Sequence, residues 1–184
     1  IANETFKLDK PFIVLATQNP IEQDGTYPLP EAQQDRFLMK VKIEYPTKEE
    51  EKNILKLLTS TTDFDSIEIE EVLNKDKIEE LKKLIKEIHI DEKLMDYILD
   101  IIFKTRESNQ YISCGASPRA SIALVVSAKA NAFLEGRDFV IPQDIKKVIF
   151  DVLRHRIILT YEAEAEGKDV EDIITDIMEG VELP

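Results

Sequence analysis

The sequence predicts a mainly α-helical domain that follows a fragment of an α/β core. Residues 47–184 repeat apolar side chains at helical spacing between recognisable cap residues. Residues 1–44 instead contain two strand-like segments. The composition agrees with a helix-rich globular protein, because 43% of the residues are hydrophobic, 33% are charged and only 5 are glycine. The change of character at Pro46 predicts a boundary between domains 1–45 and 46–184.

The first strand-like segment is the apolar run Phe12–Ala16, which is followed by a polar loop with a proline. Such a run is expected of a strand that is covered on both faces of an α/β sheet. In the second segment Met39, Val41 and Ile43 alternate with lysines, which indicates a strand nearer the sheet edge. Because two strands alone are marginally stable in water, residues 1–44 are predicted to be the tail of a larger α/β domain.

Cap residues predict three helices after the boundary. Thr47 and Glu50 have capping-box spacing ahead of an apolar helix face. Asn74 can cap a second helix, and Asp91 a third that runs to about Ser108. Each of these polar side chains can accept a hydrogen bond from a free N–H group of the first helical turn.

Proline and glycine mark two further helices. Ser117 followed by Pro118 is a strong helix start, and Gly136 is a natural stop. Pro142 opens another helix, although Ile141 stands where a capping serine or threonine is more usual. This departure is expected to cost some helix stability.

The C-terminal stretch predicts one more helix and a small ribbon. From Val170 onward apolar residues recur at the i, i+3, i+4, i+7 and i+8 positions. Two strand-like pieces, residues 138–141 and 157–161, could pair with each other as a ribbon within the bundle.

Charge and composition exclude several functions. The net charge of -13 opposes binding to nucleic acid or to an anionic membrane. Cys114 is the only cysteine, and His89 and His155 are far apart in sequence, so neither an internal disulfide nor a metal-ligand cluster is predicted. No apolar run approaches the roughly 20 residues of a membrane span, and a cytoplasmic location is expected. The start at Ile1 suggests a longer parent polypeptide.

Asn19 is the first candidate for a chemical role. It belongs to the stretch Ala-Thr-Gln-Asn-Pro, directly after the first predicted strand. Ligands of open α/β sheets bind beyond the carboxyl ends of the strands, where an amide can donate to a phosphate oxygen and accept from an attacking water. The alternative is an ordinary Asn-Pro turn, which the local sequence taken alone favours.

Arg36 is the second candidate. It follows a turn and a predicted short helix within residues 25–37, just before the second strand-like segment. At such a junction its cation could project into a neighbouring subunit. An arginine supplied in trans to a phosphoryl-transfer site contributes about 10³–10⁵ in rate. The alternative is a surface ion pair with Asp35.

Arg119 is the third candidate, in the first turn of the helix that Ser117 opens. A cation is unfavourable there because the helix dipole places its positive end at the same point. A visiting anion would account for it, since helix N-termini also bind phosphate. An ordinary solvent-exposed arginine is the alternative.

Four segments together resemble, in order and spacing, the MoxR family of AAA+ ATPases: residues 16–20, 25–37, 115–120 and 153–163. The resemblance spans nearly the whole chain and implies a helical AAA+ lid domain preceded by a fragment of an α/β P-loop core. It implies that Asn19 is the sensor-1 residue, Arg36 the arginine finger that acts on the neighbouring protomer, and Arg119 the sensor-2 arginine. Residues 1–9 resemble the last strand of a hairpin before sensor 1.

The chain also departs from the family pattern. It has neither a Walker A loop nor a Walker B acidic pair, since its one Gly-Lys pair, at residues 167–168, lacks the preceding glycine and is followed by Asp169. The chain alone is therefore expected to be inactive as an ATPase. Residues 154–156 are interpreted as structural, with no catalytic role for His155.

For the full-length parent the resemblance implies ATP and Mg²⁺ as cofactors and a ring of identical subunits, expected to be a hexamer. The implied work is remodelling, assembly or cofactor insertion of partner proteins, among them proteins with von Willebrand factor A domains. No nucleic-acid partner is expected. Two alternatives remain open: a non-enzymatic helical interaction module, and a metal-chelatase-like AAA+ motor subunit.

Overall fold

The computed structural model describes residues 7–18, 29–60 and 69–184. Within these ranges the chain forms eight helices and one two-stranded sheet. In chain order the elements are α1 (Glu31–Gln34), α2 (Lys48–Leu58), α3 (Lys75–Glu87), α4 (Glu92–Lys104), β1 (Ile112–Cys114), α5 (Pro118–Leu134), α6 (Pro142–Leu153), β2 (Ile158–Leu159), α7 (Tyr161–Ala165) and α8 (Val170–Glu179). The mainly helical class predicted from the sequence is confirmed.

The caps predicted for α2, α3 and α4 are confirmed. Thr47 Oγ1 accepts the Glu50 N–H at 3.3 Å, and the Glu50 carboxylate accepts the Thr47 N–H at 2.7 Å. Asn74 and Asp91 each accept a first-turn N–H at 2.9 Å. Helix α4 ends at Lys104, before the predicted end, and the chain then turns toward β1.

Helix α6 begins without a side-chain cap at Ile141, yet its first turn is satisfied in another way. The carboxylate of Asp144, in the first turn, accepts the Ile141 N–H at 2.8 Å. The same carboxylate is 2.6 Å from Arg137 Nη2 and accepts from the Asn131 amide at 2.7 Å. Asp144, whose side chain is 1% exposed, therefore joins α5, the following loop and α6.

The predicted ribbon is wrong in its pairing. Strand β2 pairs antiparallel with β1 rather than with residues 138–141. Phe139 instead forms a parallel bridge with His89, where the His89 N–H donates to the Asp138 carbonyl at 2.8 Å. Both pieces have strand-like character, but alternation does not select a partner. The actual partners are His89, which follows α3, and β1, which follows α4. Neither has an alternating pattern that would predict a strand.

The core of the described ranges lies between α4, α5, α6 and α8. Its largest fully buried apolar side chains are Ile98, Ile101, Ile102, Leu124, Ile145, Ile149, Val152, Leu153, Ile173 and Ile174. Helix α5 has the most extensive contact with α6 and also contacts α3 and α4. None of the helices in the described ranges is both long and apolar enough to cross a membrane.

The two strands predicted before Pro46 are not formed. Phe12–Leu15 is irregular, and its side chains are 58–90% exposed. Residues 39–43 are likewise irregular. A strand needs a neighbour to satisfy its backbone N–H and C=O groups, and no other segment in the described part of the chain pairs with these two. Helix α2 forms as predicted, but none of its residues is buried.

Candidate functional site

The loop before α5 is held against the end of α4. The Ala116 N–H donates to the buried Thr105 hydroxyl at 3.0 Å, and Arg106 Nε donates to the Ala116 carbonyl at 2.8 Å. Gly115 approaches α4 so closely that a Cβ there would lie 2.2 Å from the Thr105 carbonyl oxygen. A residue without a side chain is therefore required, and the start of α5 is fixed relative to α4.

Ser117 and Pro118 start α5 as predicted. Ser117 Oγ accepts the Arg119 N–H at 3.2 Å, and Pro118 is the first helical residue, where no N–H is needed. Arg119 lies in the first turn, with a side chain that is 59% exposed. Its cation and the positive end of the helix dipole therefore lie at the same place, which favours an anionic partner.

That partner is Asp35, the residue directly after α1. Arg119 Nη1 is 3.0 Å from Asp35 Oδ2, the Ser117 hydroxyl donates to the same carboxylate at 2.9 Å, and Arg156 Nε donates to Oδ1 at 3.1 Å. Burial alone would raise the pKa of Asp35, but the hydrogen bonds from these three side chains outweigh it and lower that pKa. The carboxylate therefore stays ionised.

Arg156, just beyond α6, has a side chain that is only 2% exposed. Its Nη2 donates to the Asp35 carbonyl at 3.2 Å and to the Phe37 carbonyl at 2.5 Å. Its Nη1 donates to the Leu38 carbonyl at 3.2 Å and also to the Val152 carbonyl. Burial lowers the pKa of Arg156, and Asp35 partly offsets this. A planar guanidinium with five donors suits so many acceptors.

The two residues before this arginine contact the same stretch. His155 Nε2 is 3.2 Å from the Phe37 carbonyl oxygen, and Arg154 donates to the Lys40 carbonyl. Residues 35–40, called here the anchored segment, are thus held by three consecutive residues of the helical domain. These contacts agree with the interpretation of all three as structural.

Arg36 belongs to the anchored segment, but its side chain is exposed. Within the described ranges its guanidinium has no hydrogen bond or ion pair. The alternative surface pair with Asp35 does not form, because that carboxylate is bonded to Ser117, Arg119 and Arg156. The Arg36 cation is therefore available to a group outside the described residues.

Asn19, the first candidate, lies outside the described residues, as do residues 1–6 of the predicted hairpin strand. The structure thus brings Arg119 near the segment that carries Arg36 and leaves Asn19 as a prediction.

Among the described residues, the N-terminus of α5 is the place best suited to an anionic ligand. Arg119, at the N-terminus of α5, has the chemistry to contact a phosphate. The sequence lacks a Walker A loop, so a phosphate cradle and its Mg²⁺ ligand would have to come from elsewhere. In the part of the chain that is described, no cluster of three or more His, Cys, Asp or Glu side chains could hold a metal ion.

Sequence reasoning misses the link between Asp35 and Arg156, which are 121 residues apart. One signal was available. Arg156 directly precedes Ile157 and follows the apolar end of α6, and an arginine in such surroundings needs a buried acceptor. Nothing in the local pattern says which acceptor it is.

Two family models match the sequence. The model described as "ATPase family associated with various cellular activities (AAA)" matches residues 1–39, and the model described as "AAA lid domain" matches residues 104–177. The first match contains Asn19 and Arg36, and the second contains Arg119. The matches therefore separate the three candidate residues between a core family and a lid family.

Relatives match over the whole chain. This chain is 40% identical to the chaperone MoxR1 of Mycobacterium tuberculosis, and the alignment covers 100% of this chain and 50% of that protein. It is 41% identical to the uncharacterized protein YeaC of Bacillus subtilis, covering 100% and 57%. A crystal structure of a provisionally assigned ATPase from Cytophaga hutchinsonii superposes with a TM-score of 0.90 at 43% identity, covering 100% and 58%.

The helical fold, the matched models and the related structure together place the chain in the AAA+ class, as a fragment of an AAA core followed by an AAA lid domain. The relatives make the assignment narrower: the chain belongs to the MoxR family of AAA+ ATPases. It spans about half the length of the curated relatives that it matches.

Proposed function

We propose that this chain is the sensor, arginine-finger and lid part of an ATPase that couples ATP hydrolysis to the remodelling, assembly or cofactor insertion of partner proteins. The observation that carries the proposal concerns Arg36. Its side chain is exposed and has no partner within the described ranges, while the backbone on both sides of it is bonded to the helical domain. An exposed cation on a fixed backbone is suited to act on a neighbouring subunit.

Arg119 is the proposed contact to the nucleotide of its own subunit. Its position at the N-terminus of α5 favours an anion, and its exposed side chain leaves room for a phosphate beside Asp35. Asn19 is proposed to orient the attacking water. ATP and Mg²⁺ would be held mainly by Walker segments of the full-length protein.

The proposed assembly is a ring of identical subunits, expected to be a hexamer, because a finger that acts in trans needs a neighbour. Family membership also supports proteins with von Willebrand factor A domains as partners. The isolated chain is expected to hydrolyse no ATP, since its sequence contains no Walker A loop.

The test is steady-state ATP hydrolysis by the full-length protein over a range of protein concentrations. Wild-type turnover should rise with concentration as subunits assemble. Arg36→Ala should still bind ATP but lose about 10³-fold or more in turnover, because charge in the transition state is no longer neutralised. Arg36→Lys should recover little of this, since an ammonium does not reproduce the planar fork.

Lys42→Ala is the matched control, because Lys42 is another exposed cation in the same part of the chain. It should keep wild-type turnover. Equal turnover by Arg36→Ala and the wild type would reject the finger assignment. A wild type without turnover at any concentration would favour a non-enzymatic interaction module instead.

A further inference from the structure

We propose that Asp35 and Arg156 form a positioning pair that sets the aim of Arg36, so that the lid of one subunit controls catalysis in the next. The inference rests on the proposed function of Arg36 and adds two residues to it. Neither of them is expected to touch the nucleotide on which Arg36 acts.

Arg156 bonds backbone carbonyls of residues on both sides of Arg36 in the sequence. Nη2 bonds the carbonyl before Arg36, that of Asp35, and the carbonyl after it, that of Phe37. Nη1 bonds the next carbonyl, that of Leu38. One guanidinium therefore holds the peptide unit before Arg36 and the unit after Phe37, while the Phe37 N–H donates to the Gln34 carbonyl at 3.0 Å. These bonds restrain the backbone that carries the finger.

Arg156 contributes charge and geometry that other residues lack. A lysine has the charge, but its single ammonium cannot reach four acceptors spread over residues 35–38. Each carbonyl left without a donor in this buried place costs free energy, so the segment would shift to find water. The positioning effect should therefore depend on the guanidinium and not on positive charge alone.

Asp35 completes the pair. Its carboxylate neutralises Arg156, and its side chain is 17% exposed. Through Ser117 and Arg119 the same carboxylate is bonded to the start of α5, while Arg156 follows the end of α6. Arg36 is thus adjacent in sequence to a residue that is bonded to the ends of two core helices.

Positioning of this kind matters for rate. A displacement of about 1 Å in a catalytic group can cost on the order of 10²-fold even when the change is far from the chemistry. Arg156→Lys in the full-length ATPase should therefore lower kcat by about tenfold to a hundredfold. The KM for ATP should stay within about twofold, because the finger contacts the neighbour's nucleotide chiefly in the transition state.

Arg154→Lys is the matched control. Arg154 holds the anchored segment at Lys40, four residues beyond Arg36, and its loss should disturb the finger less. A decrease in kcat as large as that of Arg156→Lys would show a general loss of lid packing and would overturn the proposal.

Mixed rings give a readout that a merely structural role would not move. A site formed by an Arg156→Lys subunit and the finger of an Arg119→Ala subunit has an intact sensor and a finger that Arg156 still holds, so mixing these two variants should restore turnover. Mixing Arg156→Lys with Arg36→Ala should restore none, because neither variant has an intact finger. The opposite pattern would assign Arg156 to its own subunit's nucleotide.

Thermal unfolding of each variant checks that it folds. If Arg156→Lys does not fold, Asp35→Asn takes its place, since the amide keeps the size of the side chain and a hydrogen bond to Ser117. The same decrease in kcat and the same mixing pattern are expected. An active wild type whose Asp35 and Arg156 variants keep full kcat would overturn the positioning pair alone. An inactive wild type would overturn the proposed function and the pair together.

Discussion

At the scale of single residues, one carboxylate organises the candidate site. Asp35 accepts from a helix cap, from an exposed arginine and from a buried arginine, and it stays charged because these donors outweigh the effect of its burial. The buried contacts should matter most, since exposed ion pairs contribute little to stability. Because this carboxylate is bonded to Ser117, Arg119 and Arg156, it forms no ion pair with the adjacent Arg36.

We expect His155 to make the folded protein less stable in mild acid. Burial lowers its pKa below the ordinary value of 6.5, and the neighbouring Arg156 lowers it further. Below pH 6.5 the unfolded chain therefore binds a proton at His155 that the folded chain resists, so the free energy of unfolding should fall from pH 7 to pH 5. Urea unfolding at both values should show a smaller fall for His155→Gln than for the wild type.

His89→Gln serves as the control for this experiment, since it keeps His155 and should keep the wild-type dependence. Identical pH dependence in His155→Gln and the wild type would show that other groups govern the acid response.

At the scale of elements, the sequence predicts helices better than strands. The starts of α2, α3, α4 and α5 follow from local caps, because a cap and its N–H partner are two or three residues apart. Strand partners are distant in sequence, so the partner of β2 could not be predicted. The strands expected at residues 12–16 and 39–43 are not formed, since no described segment pairs with them.

The candidate site divides in the same way. Arg36 and Arg119 could be selected from motifs, and the short helix before Arg36 was predictable from the turn ahead of it. The bonds of Asp35 to Ser117 and Arg156 could not be predicted, because they join residues that are 82 and 121 positions apart. Local sequence offers Arg36 as the partner of Asp35, whereas the fold brings three distant side chains to that carboxylate: Ser117, Arg119 and Arg156.

Gly115→Ala tests the joint between α4 and α5. The added Cβ would lie 2.2 Å from the Thr105 carbonyl oxygen, so backbone must move, at a cost of about 1–3 kcal/mol. Gly180→Ala is the matched control, because the nearest atoms to its Cβ would be 3.5 Å away. Urea unfolding should separate the two variants, and equal midpoints would refute the close approach.

At the scale of the whole molecule, contacts cross the boundary that the sequence predicts. Residues 35–40 precede Pro46, yet they are bonded to residues 154–156. Helix α2, just after Pro46, buries none of its residues. The division at Pro46 remains a prediction. In the described ranges, the contacts of the anchored segment make it part of the helical domain.

Asp144→Asn should destabilise the molecule as a unit, because Asp144 joins α5, its following loop and α6. Replacing the buried carboxylate weakens its charge-assisted bonds to Arg137, so about 2 kcal/mol of unfolding free energy should be lost. Glu135→Gln is the matched control: Glu135 also pairs with a cation, Lys147, but both side chains are more than half exposed. A single, earlier urea transition for Asp144→Asn alone is expected, and equal loss in both variants would contradict it.

In a ring of the proposed kind, the carboxylate that Arg119 and Arg156 share would link neighbouring subunits. Under the proposed function, a phosphate would compete with Asp35 for the guanidinium of Arg119, so nucleotide binding would weaken the bond between Arg119 and Asp35. Coupling of this kind is reciprocal: whatever factor the nucleotide applies to the engagement of Arg36, the engaged Arg36 applies to nucleotide affinity. A ring built from such subunits would carry information in both directions around its circumference, through one aspartate per subunit.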